Sequence, residues 1–493
     1  MTTPTVLFRP LWILALLAGV SVPAAVPANA GEPLERCRLK GISRELRCGA
    51  IDVPENPDTP AGRKITIRFA VVPALAKNKA PDPVFVFAGG PGQGAQQVAA
   101  QVLATQSRLN ARRDLVFVDQ RGTGESNKLG CPPPKGVPGI AESLDIAAQR
   151  ARLDTCLKSI TDAGNDTRQY ATWIAMRDID AVRAAIGADR INLWGASYGT
   201  RAALEYLRQF PLRVRSMVLD GMAPADGVLP ASFPLDNDAA LDRLITQCAQ
   251  DARCRARYPT LGADIDRLLA SAASGKLRVT TTHPVTGGRE SVLLDRDTIA
   301  ATLRLPLYSP ALAAGLPNAV VSAAAGQPDA LIALAMSLAG PVADTMAEVM
   351  HFAVICAEDM PRFGDAAMAA AARTRFADSF DANYRRVCPK LAVRPVPPEF
   401  YAPSNADVPV LILSGGADPA TPPRHGENIA TRLKNAKHVV APNVGHGVSS
   451  HGCAPELIAK FIRQASFDQI DGACLEKIPA PTFYYAASTG ATR

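Results

Sequence analysis

The sequence predicts an α/β protein: a mostly parallel, doubly wound sheet with an inserted, mainly helical cap. Three observations carry this reading. Short runs of consecutive apolar residues, Pro83 to Ala88 and Asp114 to Asp119 among them, have the look of strands buried on both faces. Amphipathic helical stretches alternate with such runs up to about residue 221. The alternation then lapses from 222 to 405, where the chain is alanine-rich and helical in pattern, and resumes at Val408. The expected division is a leader over 1–30, the first part of the core over 31–221, a helical cap over 222–405, and the second part of the core over 406–493.

The leader is read from Arg9, the apolar stretch Leu11 to Val20, and the small residues Ala28-Asn29-Ala30. An uncleaved membrane anchor is the competing reading, but the apolar stretch is short and is followed by Pro23 and Pro27, which suit a processing region. Cleavage after Ala30, a periplasmic or secreted location and no stable membrane association thereafter are expected. Ten cysteines, an even number, suit an exported chain with disulfides. Pairing each with its neighbour (37–48, 131–156, 248–254, 356–388, 453–474) closes five local loops. No Cys-x-x-Cys or histidine spacing suits zinc, so neither metal nor cofactor is expected. The net charge of +7 is mild for 493 residues, there is no basic run, and aromatics are 5%, so nucleic acid is not an expected partner.

Taken in order, Ala50 to Val53 and Lys64 to Val72 read as strands between Pro, Gly and Asn turns. Pro83 to Ala88 leads into Gly89-Gly90-Pro91-Gly92-Gln93-Gly94, which lacks the lysine and spacing of a phosphate loop. Asp114 to Asp119 runs into Gln120-Arg121-Gly122-Thr123-Gly124-Glu125-Ser126, where Asp119 and Arg121 are expected to pair with each other or with backbone amides. Tyr170 to Ile186 is helical in pattern and ends at Gly187. It feeds Arg190 to Trp194, a strand, and then Gly195-Ala196-Ser197-Tyr198-Gly199 before a helix that Pro211 stops. Val214 to Leu219 is the next strand. The cap region carries one hairpin, Leu277 to Thr282 with Glu290 to Leu294. Beyond it come a strand at Val408 to Leu413, a helix near Arg424 to Leu433, a last strand at His438 to Ala441, and a final helix from Ala454 to Ile462.

Gly-x-Ser-x-Gly between a strand and a helix is the pattern of a nucleophile elbow, in which glycines permit a strained turn and leave the serine hydroxyl exposed. A serine nucleophile needs a base for its proton and an acid to hold the imidazolium. Ser197, Asp418 and His446 occur in that chain order, each after an expected strand. His451 is a rival base and Asp220 an alternative acid. The backbone N–H of Tyr198, opening the helix, and that of Gly90 in the glycine-rich loop are the expected oxyanion donors, since Pro91 has no N–H.

Together, Gly-Gly-Pro-Gly, Asp-Gln-Arg-Gly-Thr-Gly-Glu-Ser, Gly-Ala-Ser-Tyr-Gly-Thr, Gly-Gly-Ala-Asp-Pro-Ala-Thr-Pro and Gly-His-Gly resemble the secreted α/β-hydrolases related to proline iminopeptidase and tripeptidyl aminopeptidase. The likeness runs over nearly the whole chain after the leader. It implies the α/β-hydrolase fold and a serine exopeptidase acting on peptides with a free N-terminus. It also implies cap carboxylates that receive the substrate ammonium, for which Glu358 and Asp359 are the candidates. Ala88 stands where proline iminopeptidases carry His, so the resemblance does not extend to strict proline specificity. An esterase using the same machinery is the alternative, and a silent binding protein on the same scaffold is the reading from another class.

Overall fold

The computed structural model describes residues 34–133, 136–343, 345–377 and 381–485. The expected leader over 1–30 lies outside them. The described strands are β1 (Glu35–Cys37), β2 (Leu46–Pro54), β3 (Lys64–Val72), β4 (Val84–Phe87), β5 (Leu115–Val118), β6 (Ile191–Ala196), β7 (Val214–Asp220), β8 (Arg278–Thr282), β9 (Arg289–Leu293), β10 (Val410–Gly415) and β11 (Ala436–Ala441). Nine of them form one sheet in the order β1-β2-β3-β5-β4-β6-β7-β10-β11. Pairing from β5 through to β11 is parallel, and β1, β2 and β3 add an antiparallel edge. This is the α/β-hydrolase fold.

The apolar runs become central strands because both faces of the sheet are covered. On β4, Val84 and Val86 face one core while Phe85 and Phe87 face the other, and Leu115, Phe117, Val116 and Val118 on β5 divide the same way. One core is closed by the helices Ala95–Thr105 and Ala454–Gln464, through Ala99, Val102, Leu457 and Phe461. The other is closed by Thr172–Ala185 and Tyr198–Gln209, through Met176, Ile179, Ala203 and Tyr206. At about 25 cal/mol per Å2 of apolar area removed from water, such two-sided burial is the main favourable contribution to folding.

Residues 229–324 are mostly helical, with β8 and β9 as a separate antiparallel hairpin, and have a core of their own around Leu241, Leu268 and Leu303. The helix Glu348–Glu358 packs differently. Its Val349, Met350, Ala353 and Val354 join the core of the large sheet. The five disulfides follow the neighbour pairing, with Cα–Cα separations of 5.1 to 6.3 Å that suit the bond. The short β1 has no counterpart among the expected strands. It is three residues long and exposed, too short for an alternation to register, and it lies beside the Cys37–Cys48 bridge.

Asp119 and Arg121 do hold loops, but with other partners than each other. Asp119 accepts from Gln96 N at 2.9 Å, Gln96 Nε2 at 2.8 Å and Glu125 N at 3.0 Å. Arg121 forms a bidentate pair with Asp178 at 2.6 and 2.8 Å and donates to the carbonyls of Glu55 and Gln169. Both members of the pair are buried. Removing one partner of a buried pair strands the other charge, so Arg121→Ala should cost about 3–5 kcal/mol. Urea unfolding of the variant measures this, and a loss below about 1 kcal/mol would mean the pair is solvated in solution.

Candidate active site

The site is built where β6 meets the helix Tyr198–Gln209. Ser197 has φ 56° and ψ −127°, a conformation that costs a non-glycine residue on the order of 1–3 kcal/mol. The surroundings impose it. Ser197 N donates to Asp220 O at 2.9 Å, and Ser197 O accepts from Thr200 N at 2.9 Å and Thr200 Oγ1 at 2.6 Å. A Cβ on Gly195 would collide with the carbonyl of Gly199, and one on Gly199 with the carbonyl of Phe87 on β4. Glycine is required at both because backbone crosses backbone there.

His446 follows β11, and its Nδ1–H donates to Asp418 Oδ2 at 2.8 Å. Asp418 follows β10 and is buried. Its Oδ1 accepts from Ala420 N at 2.8 Å and Thr421 N at 2.9 Å, and its Oδ2 also accepts from Thr421 Oγ1 at 2.7 Å. Burial alone would raise the Asp418 pKa, but the His446 charge and these hydrogen bonds outweigh it and hold the carboxyl below its usual range. For His446 burial pulls the pKa down, and the charge of Asp418 with its hydrogen bond more than compensates, leaving the imidazole above its ordinary value. Ser197 and His446 line one cavity of about 440 Å3, together with Phe87, Gly89, Trp194 and Tyr308. A second cavity of about 330 Å3, beside Arg243 and the segment 480–483, holds neither of them.

The rival residues have other partners. Asp220 is buried, with its two oxygens accepting from Val448 N at 2.8 Å and Ser449 N at 2.7 Å, so it anchors the loop that follows His446. His451 is exposed, and its Nδ1 faces Gly447 O and Ser450 Oγ. In the glycine-rich loop, Gly89 is the residue beside Ser197, since a Cβ on it would lie 3.3 Å from Ser197 Cβ. Gly90 is the next residue, with φ +111°, and is not among those lining the cavity. Tyr198 is buried, its hydroxyl 2.5 Å from Thr172 Oγ1, with its N–H in the first turn of the helix, where helical partners are lacking.

Glu358 and Asp359 do not meet the expectation that they face a substrate ammonium: they are buried against Arg201 on the elbow helix. Arg201 Nη1 donates to Asp359 Oδ2 at 2.8 Å and to Glu358 Oε2 at 3.3 Å, and Arg201 Nη2 donates to Asp359 Oδ1 at 3.2 Å. Thr172 N and Leu229 N donate to the same two carboxylates. Burial pushes Glu358 up to about 7 against the pull of Arg201. Their charge was legible in the sequence, but the arginine that occupies them lies more than 150 positions away, within the helical pattern that follows Ser197. Tyr308 was also missed. Its carbonyl accepts from His446 N at 3.0 Å and its ring meets the imidazole edge-on, with centroids 5.2 Å apart. It belongs to no motif, and only packing brings it there.

Comparisons with known proteins agree with this architecture. The family model described as "alpha/beta hydrolase fold" matches residues 82–245, and the one described as "TAP-like protein" matches residues 374–474. Serine protease Hip1 of Mycobacterium tuberculosis is 25% identical over 490 residues, covering 88% of this chain and 89% of that protein. Tripeptidyl aminopeptidase of Streptomyces lividans is 27% identical over 238 residues, which cover 45% of this chain and 44% of that one. Putative hydrolase YuaR of Escherichia coli is 25% identical over 279 residues, 54% of each chain.

The His446–Asp418 contact has a direct spectroscopic consequence. Proton NMR titration of the imidazole should place His446 above the ordinary value of about 6.5. In Asp418→Asn the burial is opposed only by the charge of Asp220, so the pKa should fall from its position in the parent chain. An unchanged titration in the variant would remove Asp418 as the imidazole's partner.

Proposed function

The chain is a hydrolase of the α/β-hydrolase fold with a TAP-like C-terminal segment, and we propose that it is an exported serine peptidase that removes residues from the N-termini of peptides. Ser197 is the nucleophile, His446 the base and Asp418 the acid that orients it. The observation that carries this reading is the hydrogen bond from His446 Nδ1 to buried Asp418, with Ser197 held on a strained turn in the same cavity. That bond leaves Nε2 of neutral His446 free to take the Ser197 proton.

In this reading Oγ attacks the scissile carbonyl carbon as its proton passes to Nε2. The oxyanion formed is met by the N–H of Tyr198 and an N–H from the Gly89–Gly90 turn, donors fixed before reaction and therefore needing no reorganisation as the charge develops. Collapse expels the amine, which takes the proton from Nε2, and leaves an ester on Ser197. Water attacks that ester by the same route in reverse, returning the proton to Oγ. The peptide bond as substrate is favoured by the relatives named serine protease and tripeptidyl aminopeptidase. Export is favoured by five disulfides, which persist in oxidising compartments.

One observation favours a second reading, a carboxylesterase on the same machinery. Among the described residues lining the cavity the one carboxylate is Asp220, which already accepts two backbone N–H groups, and Glu358 and Asp359 are engaged by Arg201. A desolvated ammonium would find no free charge among these groups.

Hydrolysis of free-amine tripeptide and alanine arylamides, their N-acetylated forms and p-nitrophenyl butyrate separates the readings. Loss of turnover on acetylation supports the aminopeptidase, whereas ester turnover indifferent to the amine supports the esterase. Ser197→Ala should lower kcat by about 10^6-fold and abolish labelling by a fluorophosphonate with the melting temperature unchanged. Near-normal turnover in this variant would end the proposal for either substrate class.

A further inference from the structure

The glycine-rich loop beside Ser197 is held from outside its own strand and helix. The segment Thr345 to His351, at the start of the helix Glu348–Glu358, runs along it. Gln93 and Met346 form an antiparallel bridge, and Ala347 N donates to Gly92 O at 2.9 Å. Gln93 Nε2 donates to Thr345 Oγ1 at 3.3 Å. A Cβ on Gly92 would press to 2.9 Å from Ala347 O, so the two backbones lie in direct contact.

His351 completes this clamp. Its Nδ1 lies 2.9 Å from the Pro91 carbonyl, and its Nε2 lies 2.9 Å from the Tyr384 hydroxyl. A carbonyl only accepts, so Nδ1 carries the proton. Nε2 of the neutral ring then accepts from the Tyr384 hydroxyl, which fixes both tautomer and ring plane. Burial pulls the His351 pKa below its ordinary value, in keeping with the neutral form. The helix bearing His351 and the segment bearing Tyr384 are joined by the Cys356–Cys388 disulfide. The other end of the His351 helix is anchored by Val349 N and Met350 N, which donate to Leu129 O at 3.0 and 3.1 Å.

We propose that His351 is a positioning residue for hydrolysis: through the Pro91 carbonyl it sets the Gly89–Gly90 turn at the distance from Ser197 that an oxyanion requires. This rests on the serine hydrolase reading above. His351 meets neither Ser197 nor His446 among its hydrogen-bond partners, and its effect passes through the loop. A donor displaced by a fraction of an ångström loses the transition state far more than the bound substrate. The effect therefore falls on kcat.

The test compares His351→Ala, His351→Asn and Tyr384→Phe with the parent chain, using Ala-Ala-Ala-p-nitroanilide, p-nitrophenyl butyrate and hydrogen exchange of the peptide covering residues 88–95. His351→Ala should lower kcat on the order of 10- to 100-fold, with KM within about twofold. Exchange should accelerate in 88–95 and not in the central strands. His351→Asn, whose amide nitrogen is bonded to Cγ as Nδ1 is and so can donate to the Pro91 carbonyl, should recover most of the rate, and Tyr384→Phe should fall between. A folded His351→Ala with parental kcat and parental exchange would overturn the inference. So would a rate loss that Asn does not rescue and that tracks the melting temperature. A parent chain inert to both substrates would sink the hydrolase reading instead, and the exchange of 88–95, which needs no turnover, would still decide whether His351 holds the loop.

Discussion

The crossing of the elbow against β4 is the constraint on which the rest depends. Gly199 lies so close to the Phe87 carbonyl that no side chain fits, and Gly195 lies equally close to Gly199. That approach forces Ser197 into positive φ and lifts its side chain to the cavity wall. It also fixes the relation between Ser197 and the loop leaving β4. The strain is affordable because the surrounding strands are buried on both faces and hold their register over many residues.

Two further strand ends converge on that point. Gly415 at the end of β10 packs against the Gly445 carbonyl, bringing the Asp418 and His446 loops together. Gly221, at φ +68°, leaves room for Thr421 and His446 beyond β7. Asp220 uses its carboxylate to tie down the backbone after His446. The residues around the cavity are thus spaced by glycine contacts between loops and oriented by buried carboxylates. Each carboxylate accepts from backbone N–H groups, and Asp418 also from the Thr421 hydroxyl and His446, which keeps a buried charge tolerable.

The helical segments do more than cover the sheet. Tyr308 supplies the acceptor for His446 N, and the segment 345–351 lines the glycine-rich loop. The buried group of Arg201, Glu358 and Asp359 joins the elbow helix to the helix Glu348–Glu358 and to the start of the helix at Leu229. Separating these elements would strand charges in the interior, so the joint is firm for electrostatic reasons as well as apolar ones.

Much of this was legible in the residues. Buried apolar runs gave β4, β5 and β6 nearly to their ends, because a strand buried on both faces admits little else, and the alternation within Lys64 to Val72 gave β3. Gly-x-Ser-x-Gly marked the strained turn, since only glycine tolerates such backbone contact. Spacing left the cysteine connectivity open, and the structure has the neighbour pairing that closes the shortest loops. The partners of charged groups were not legible. Arg121 finds Asp178, and Glu358 with Asp359 find Arg201, across distances in sequence that no local pattern spans. Charge and burial determine that such groups must pair, and chain topology alone determines with whom. The sequence by itself therefore established the strands other than the short β1, the turns and the residue types at the cavity. Only the tertiary structure decided which charges remain free to meet a ligand, because pairing depends on proximity in space.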